Sequence, residues 1–404
     1  MNLAKHRETY YAIVIVLLAL FALAAIFYAR GFKPNFRTGR ITHTGLIVAD
    51  SIPTGAQVFI DDRLTSATNT NIAFLEPKTY KVKIAKDGYT TWEKEIDVKA
   101  DLATEINALL FPLAPQISPL TTTGANSPTL SPDGGKIVYG VSGINGGAYI
   151  LPVADGLLAF RQSTKLIARN TTAFDFSTAQ FVWGPDSKQL IARFPKNDGT
   201  VTANLMLDSD TSDQPLRDVT ASLTATISDW QQQINTSAQT LAVLAPDEIK
   251  SATQAATPAS PSPSAQPSPA ASNQLPATSY QLPSLINYYP TGLTFSPDEE
   301  KVLYIDKNGK HHVYDVKAKK QYTLPDFSDL ENITWFPDSA HLVVAQKNQI
   351  SIMESDGANK MAVYSGKFDY GFVFAHPSGS KLIILTTLTQ SEGTPDNLYA
   401  INLK

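Results

Sequence analysis

The chain has 404 residues, of which 43% are hydrophobic and 17% charged, and its formal net charge is −4 at pH 7. This length and composition fit two folded domains together with an apolar anchor. The balance of charge lacks the basic excess of nucleic-acid-binding proteins, so no nucleic-acid partner is expected. The chain contains no cysteine, which excludes disulfides, thiolate metal sites and a cysteine nucleophile.

The N-terminal region predicts a membrane-spanning helix. After a short tail, residues 1–9, the segment 10–29 contains no charged residue and is long enough to cross a hydrocarbon layer about 30 Å thick. Tyr10, Tyr11 and Tyr28 lie at its two ends, where aromatic rings favour the headgroup region. The lipid bilayer is therefore an expected partner. A buried soluble helix and a cleaved signal peptide, with a small-x-small site at residues 22–24, are the alternatives.

Residues 30–40 form a predicted basic linker whose charges bear on orientation. It carries Arg30, Lys33, Arg37 and Arg40, more positive charge than precedes the span, and the positive-inside rule alone would leave this side in the cytoplasm. Long domains are translocated largely regardless of such charges. We expect a single-pass protein of the cell membrane with the bulk of the chain outside the cytoplasm. A cytoplasm-facing interaction platform is the alternative.

Residues 41–113 predict a small β domain. Alternation of apolar and polar residues indicates strands at 46–49, 57–60, 80–85 and 92–98. In the third strand Tyr80, Val82 and Ile84 face one way and the two intervening lysines face the other, as a sheet with one wet face requires. A tight turn at 86–88 leads into the fourth strand.

This region resembles the PEGA domain family, small extracytoplasmic β-sandwich modules of bacterial envelope proteins. The resemblance rests on the turn Pro53-Thr54-Gly55-Ala56 and on the segments 58–60, 80–84 and 87–89 in the same order. It implies a β-sandwich in an envelope context. Pro53, Gly55 and Ala56 are assigned a structural role, because proline fixes φ and glycine permits φ above zero.

The remainder, residues 114–404, contains five copies of one pattern: an apolar strand, a proline turn and a second apolar strand. Proline presets the first turn position and the following aspartate accepts from backbone N–H groups beyond it, so turn chemistry is favoured over five active sites. The turn residues are Pro132, Asp133, Pro185, Asp186, Pro297, Asp298, Pro337, Asp338 and Pro377.

The spacing of these turns predicts a β-propeller. The last three turn prolines, Pro297, Pro337 and Pro377, follow one another at intervals of 40 residues, close to the length of a four-stranded blade. The repeat resembles the TolB-like, WD-repeat-like propellers, and five to seven blades are expected. The final strand pair, at 381–387 and 397–403, is expected to be completed by residues 116–122, which would join the two ends of the domain.

An insertion at residues 221–279 interrupts the repeat between Pro185 and Pro297. Residues 221–252 predict a helix whose apolar face includes Trp230, Ile234, Leu241 and Leu244. Residues 254–279 consist mainly of Ala, Ser, Pro, Thr and Gln, and this composition predicts a disordered spacer.

Common sequence-readable catalytic devices are absent. The chain has no GxSxG elbow, Walker A loop, HExxH helix or GxGxxG turn, and no pair of histidines has metal-ligand spacing on a helix. His311 and His312 are adjacent and would point to opposite faces of a strand. Hairpin turns account for the polar segments 197–199 and 306–309. No catalytic, metal or cofactor residue is assigned, and the ligand-binding residues stay unassigned.

The sequence therefore favours an all-β, non-catalytic scaffold or binding protein with one transmembrane helix, whose propeller recognises envelope proteins or glycans. A glycan-acting propeller hydrolase is the enzymatic alternative, since propellers can gather acids and arginines from several blades.

Overall fold

The computed structural model describes residues 3–29, 32–35, 40–153, 164–195, 201–245, 247, 249, 286, 288–388 and 395–404. The chain divides into two compact units, Met1–Leu113 and Ala114–Lys404. The predicted spacer at 254–279 and the segment 197–199 lie outside the described residues.

Helix α1 (Leu3–Ala29) begins within the predicted tail and contains the predicted span. Within it, Tyr10–Phe27 is long and apolar enough to cross a membrane, and none of this window is buried. The same features suit a membrane anchor and a signal sequence.

The segment predicted as a linker at 30–40 contains regular structure. Strands β1 (Phe32–Asn35) and β2 (Arg40–His43) pair antiparallel, with Phe32 opposite His43 and Asn35 opposite Arg40. The two strands combine basic residues with β-favouring ones such as Phe32, Ile41 and Thr42. The linker prediction considered only the charges.

Two sheets form the small β domain. One has the order β6-β3-β9 and the other β5-β4-β7-β8. The strands are β3 (Gly45–Ile52), β4 (Gln57–Ile60), β5 (Arg63–Ala67), β6 (Thr70–Leu75), β7 (Lys78–Ala85), β8 (Trp92–Val98) and β9 (Ala103–Leu109). All four predicted strands are confirmed, and β5, β6 and β9 are additional.

The core of this domain lies between the two sheets and follows from strand alternation. Tyr80, Val82 and Ile84 are buried on β7, as predicted, and pack in one cluster with Trp92 and with Ile47 of the opposite sheet. β9 pairs parallel with β3, from Leu46 opposite Ala103 to Ile52 opposite Leu109. This long-range pairing brings the end of the domain back beside its beginning.

The second unit contains five four-stranded antiparallel sheets, which we call blades I to V. Blade I is β11 (Asn126–Leu130), β12 (Lys136–Val141), β13 (Gly147–Pro152) and β14 (Lys165–Arg169). Blade II is β15 (Gln180–Trp183), β16 (Gln189–Pro195), β17 (Val201–Asp208) and β18 (Arg217–Asp218). Blade III is β19 (Thr294–Phe295), β20 (Lys301–Ile305), β21 (His311–Asp315) and β22 (Lys320–Thr323).

Blade IV is β23 (Leu330–Trp335), β24 (His341–Gln346), β25 (Gln349–Glu354) and β26 (Met361–Ser365). Blade V is completed from both ends of the unit. Its strands β27 (Val373–Ala375), β28 (Lys381–Thr386) and β29 (Asn397–Asn402) are followed in the sheet by β10 (Ile117–Pro119). Ser118 lies opposite Ala400, so the predicted completion of the final strand pair by residues near 116–122 is confirmed.

Apolar clusters join three pairs of neighbouring blades. One cluster combines blades V and I, a second combines I and II, and a third combines III and IV. Each predicted proline turn joins the first two strands of its blade, and none of the sheets closes on itself. The unit is a β-propeller with five blades among the described residues.

Helix α2 (Leu223–Ala242) occupies the junction between blades II and III. Trp230 and Ile234 pack on Val182 and Ile191 of blade II, whereas Ala245 and Ile249, just beyond the helix, pack on Val302 and Tyr304 of blade III. The insertion thereby supplies the apolar contact that the blade pairs V–I, I–II and III–IV make directly.

The predicted helix at 221–252 is interrupted by a turn. α2 ends at Ala242, a turn follows at 243–245, and residues 247 and 249 are again helical. Leu244 is 46% exposed and does not belong to the apolar face, while Ala245 is buried. The turn rotates the chain, so the helical periodicity that placed Leu244 inward no longer applies.

Candidate ligand-binding cleft

Five turns of common geometry connect the first two strands of the blades. In each turn the fourth residue donates its N–H to the carbonyl of the first, at 2.7 to 3.1 Å. That fourth residue has positive φ in every blade; the five are Gly134 (71°), Ser187 (56°), Glu299 (60°), Ser339 (59°) and Gly379 (63°). Glycine adopts this conformation freely, whereas for other residues it costs about 1 kcal/mol or more.

The turn aspartates cap these turns. Oδ1 of Asp133, Asp186, Asp298 and Asp338 accepts the N–H two residues further on, at 2.9 to 3.0 Å. In blade V Ser378 takes this place, and its Oγ accepts from the Ser380 N–H at 3.3 Å. The carboxylates are thus occupied by backbone donors, as expected of structural turns.

Hydrogen bonding favours the charged form of two of these carboxylates, Asp298 and Asp133. Burial of Asp298 opposes ionisation, but donation from the Ser296 hydroxyl and the Glu300 N–H outweighs it, so the pKa of Asp298 is lowered. The pKa of Asp133 is lowered in the same way by Ser131 and Gly135. Neither group has the raised pKa of a general acid.

Two pairs of blades are joined at their turns by matching contacts, which we call the staples. Trp183 Nε1 of blade II donates to Thr129 O of blade I at 3.1 Å, and Trp335 Nε1 of blade IV donates to Thr294 O of blade III at 2.9 Å.

A serine completes each staple. The Asp133 N–H donates to Ser187 Oγ, and the Asp298 N–H donates to Ser339 Oγ, both at 3.1 Å. Each staple therefore uses the tryptophan two residues before the turn proline and the serine two residues after it.

A cleft opens where blades II and III would otherwise meet. Its volume is about 330 Å³. Three turn prolines line it, together with residues of α2, of the segment returning from the insertion and of β19; they are Pro132, Pro185, Pro297, Ile234, Ser237, Ala238, Leu241, Tyr288, Tyr289, Thr291, Leu293, Phe295, Ser296 and Glu299. Its size lies near the lower limit of small-molecule sites.

Part of the hydrogen-bonding capacity of the cleft lining is used within the protein. The Tyr288 hydroxyl donates to Trp183 O, and burial raises the pKa of Tyr288. Ser296 Oγ donates to Asp298 Oδ1 at 2.6 Å. Glu299 is exposed, and among the described residues its carboxylate makes no ion pair or hydrogen bond. The cleft is therefore largely apolar and aromatic, with one carboxylate available to a ligand.

The residues that form staples elsewhere are replaced at this junction. Phe295 occupies the place of Trp183 and Trp335, and Glu299 occupies the place of Ser187 and Ser339. Both line the cleft. Gly184 takes the position before the turn proline, where a Cβ would lie 2.9 Å from the Trp230 ring. Blades II and III thus accommodate α2 and leave the cleft beside it.

The structure separates the predicted turn residues into three groups. Pro132, Pro185 and Pro297 come together around the cleft, whereas Pro337 and Pro377 do not line it. Pro53, Gly55 and Ala56 lie in the small β domain, where Gly55 has a φ of 74° and donates its N–H to Thr68 O at 2.9 Å. Ala56 is fully buried in that core.

Sequence reasoning missed the cleft residues Tyr288, Tyr289, Phe295 and Glu299. The tyrosines lie in a segment outside the repeat and carry no periodic signal. A sequence signal does exist for Glu299. When the five turns are aligned by their prolines, Glu299 is the only residue larger than serine at the position with positive φ.

The histidine pair has a structural explanation. His312 is buried and lies within hydrogen-bonding distance of Asp306 at 3.2 Å and of Thr323 at 3.1 Å, while the His311 ring contacts Phe327. Asp306 and Gly309 form the predicted hairpin turn. Across the described parts of the chain, no three His, Asp or Glu side chains are grouped as a metal site requires.

These features define a class of protein: a propeller with a recessed cleft at its turns, preceded by a β-sandwich and an apolar helix. Residues 44–113 match the PEGA domain family, so the small β domain is a PEGA domain. No curated protein is significantly similar in sequence to this chain.

Several solved structures align with the chain at low identity. A structure assigned to TolB from Agrobacterium tumefaciens is 14% identical, with 68% of this chain and 78% of that chain covered and a TM-score of 0.23. TolB from Acinetobacter baumannii is 11% identical, with 81% and 60% covered and a TM-score of 0.24. An oligogalacturonate lyase in complex with manganese is 10% identical, with 81% and 86% covered and a TM-score of 0.29.

This chain therefore spans 60% of the length of the Acinetobacter TolB. At these TM-scores the similarities say nothing about activity or ligand, and the propeller assignment rests on the five blades themselves.

Proposed function

We propose that this chain is a membrane-anchored, non-catalytic binding protein whose propeller recognises envelope proteins or glycans outside the cytoplasm. The observation that carries this proposal is the cleft between blades II and III, a recessed and mainly apolar site built from three turns and a helix. Clefts with these properties are the usual ligand sites of proteins.

The condition of the acidic side chains supports binding rather than catalysis. Hydrolysis of a glycosidic bond uses two carboxyl groups on either side of the scissile bond, one of them with a raised pKa. At the cleft, Asp186 and Asp298 cap their own turns, and Glu299 is the only carboxylate among the lining residues. A single carboxylate, that of Glu299, is sufficient to bind a ligand but does not provide the pair that hydrolysis uses.

The anchor and the PEGA domain support an envelope location. Tyr10–Phe27 has the length and composition of a membrane span, and PEGA-like modules are associated with envelope contexts. Residues 44–113 would then act as a spacer above the bilayer.

Protease accessibility of an epitope placed after Lys404 tests this arrangement, with intact cells, cells whose outer barrier is permeabilised, and lysed cells compared. Loss of the epitope before lysis is expected for an extracytoplasmic propeller. Protection until lysis, with the propeller folded, would contradict the proposal and favour the cytoplasm-facing platform. The mass of the protein in the membrane fraction distinguishes a retained anchor from cleavage near residues 22–24.

A further inference from the structure

We propose that the cleft binds an extended apolar peptide segment of a partner protein and that Glu299 pairs with a lysine or arginine side chain of that segment. This inference rests on the proposed binding function and names its ligand class. It starts from the one carboxylate among the cleft-lining residues.

The position of Glu299 is unfavourable for the fold. Its φ of 60° is one that glycine adopts freely and other residues adopt at a cost, and the equivalent positions carry glycine or serine. At Ser187 and Ser339 the side chain compensates by accepting an N–H from the neighbouring blade. Glu299 makes no such bond among the described residues, so nothing in the turn explains a glutamate there.

The surroundings of Glu299 suit a cation. Tyr288, Tyr289 and Phe295 line the same cleft, and aromatic faces attract lysine and arginine side chains. Of the two other carboxylates in this turn, Asp298 accepts hydrogen bonds within the turn, and Glu300 lies 3.4 Å from Lys317 Nζ. A positively charged group of a ligand would therefore pair with the Glu299 carboxylate.

The rest of the lining favours a peptide over a glycan. Sugars require many directed hydrogen bonds, yet the Tyr288 and Ser296 hydroxyls are already engaged within the protein. Leu241, which is partly exposed, offers aliphatic surface to an apolar side chain instead, and the buried Ile234 and Leu293 form the apolar floor behind it. An apolar segment with one basic residue matches both properties.

Equilibrium binding to the purified full-length chain tests the proposal. Two fluorescein-labelled peptides are compared at low ionic strength, acetyl-Ala-Leu-Lys-Leu-Ala-amide and the same peptide with a central Gln, with chitotriose as the glycan probe. We expect the Lys peptide to bind about threefold to fivefold more tightly than the Gln peptide, the range of a partly exposed ion pair with cation–π support.

Three variants make the result specific. Glu299→Gln is expected to remove the preference for Lys, whereas the matched control Glu300→Gln retains it. Glu299→Gly is also expected to remove the preference while the melting temperature stays the same or rises, because glycine suits the positive φ. Loss of binding is then separated from loss of folding.

Four results would overturn the inference: equal affinity for the two peptides, no binding of either peptide, a preference that survives Glu299→Gln, or chitotriose binding that depends on Glu299. A fifth would be peptide binding only after deletion of residues 254–279, which would assign the cleft to that segment. The purified protein is tested without a membrane, so these outcomes are independent of the epitope experiment.

Discussion

Many polar side chains in this propeller form hydrogen bonds within their own turns. Asp306 illustrates this, because its Oδ1 accepts the N–H groups of Asn308 at 2.8 Å and Lys310 at 2.9 Å. The Lys310 N–H makes the largest contribution, and with the contact to His312 it lowers the pKa of Asp306 to about 2. The hairpin therefore depends on an ionised carboxylate.

This dependence predicts how stability changes with pH. Asp306 has an unfolded-state pKa of about 3.9, above its folded-state pKa, so its contribution is present above about pH 4 and is lost as the pH falls toward 2. We expect Asp306→Asn to lower the melting temperature near neutral pH, and this difference from the wild type to shrink between about pH 5 and pH 2.

Thermal unfolding of both proteins across this pH range measures the effect. Asp326→Asn is the control, because Asp326 is 86% exposed and lies 3.7 Å from Lys310 Nζ. A difference between Asp306→Asn and wild type that does not change with pH would show that the charge of Asp306 is not involved.

The limits of sequence reasoning are also visible at single residues. The Pro-Asp pairs were recognisable because they recur with one spacing, and local turn chemistry needs no information from distant residues. Tyr288 and Ile234 meet in the cleft only because α2 packs on blade II. No periodicity encodes that contact, so the turns were predictable and the cleft was not.

At the scale of elements, blades are held together by staples as well as by apolar packing. Trp335→Phe would retain most of the ring but leave Thr294 O without its donor. We expect a loss of about 1 to 2 kcal/mol in the free energy of unfolding. Denaturant titration measures this quantity for the full-length chain.

The other staple provides the comparison. Trp183→Phe removes the equivalent bond to Thr129 O and is expected to cost a similar amount, and the double variant should give the sum within about 0.5 kcal/mol because the sites are separate. Unchanged stability in both single variants would mean that the hydrogen bonds contribute nothing beyond ring packing.

Helix α2 is the second device at this scale. Trp230 is 6% exposed and packs on blade II, so Trp230→Ala is expected to destabilise the propeller by about 3 to 5 kcal/mol. Leu244→Ala removes an exposed side chain and should change stability by less than about 0.5 kcal/mol. Equal effects of the two variants would show that α2 does not support the blades.

The elements were predicted unevenly for physical reasons. Strand β7 alternates strictly from Tyr80 to Ile84 and was found from the sequence, whereas β9 is half-exposed and depends on a parallel pairing with β3 far away in the sequence. The end of α2 was misplaced because helical periodicity continues in the letters beyond Ala242 while the backbone turns. The local sequence pattern therefore predicted which segments form helices and strands better than it predicted where those segments end.

At the scale of the whole propeller, β10 brings the beginning of the unit to its end. Its contact with β29 is reinforced by a buried polar group: Asn397 Oδ1 accepts from the Thr121 hydroxyl and from the Gly124 N–H, both at 3.0 Å. The Leu398 N–H donates in turn to Thr121 Oγ1 at 2.9 Å. These bonds join residues more than 270 positions apart in the sequence.

Removing the Asn397 side chain should separate β10 from β29 before the other blades are affected. Asn397→Ala leaves the buried Thr121 hydroxyl and Gly124 N–H without their acceptor, and we expect a loss of about 2 to 3 kcal/mol. Hydrogen exchange should accelerate in β10 and β29, because local opening requires only their separation, and should change little in blade III.

Asn402→Ala is the matched control, since the Asn402 N–H donates to Gln116 O from the backbone at 2.9 Å and that bond survives the substitution. Hydrogen exchange followed by mass spectrometry reports each strand separately. Faster exchange in all five blades of Asn397→Ala would mean that the propeller opens as one cooperative unit. Exchange confined to β10 and β29 would mean that closure is a local latch on an otherwise self-supporting set of blades.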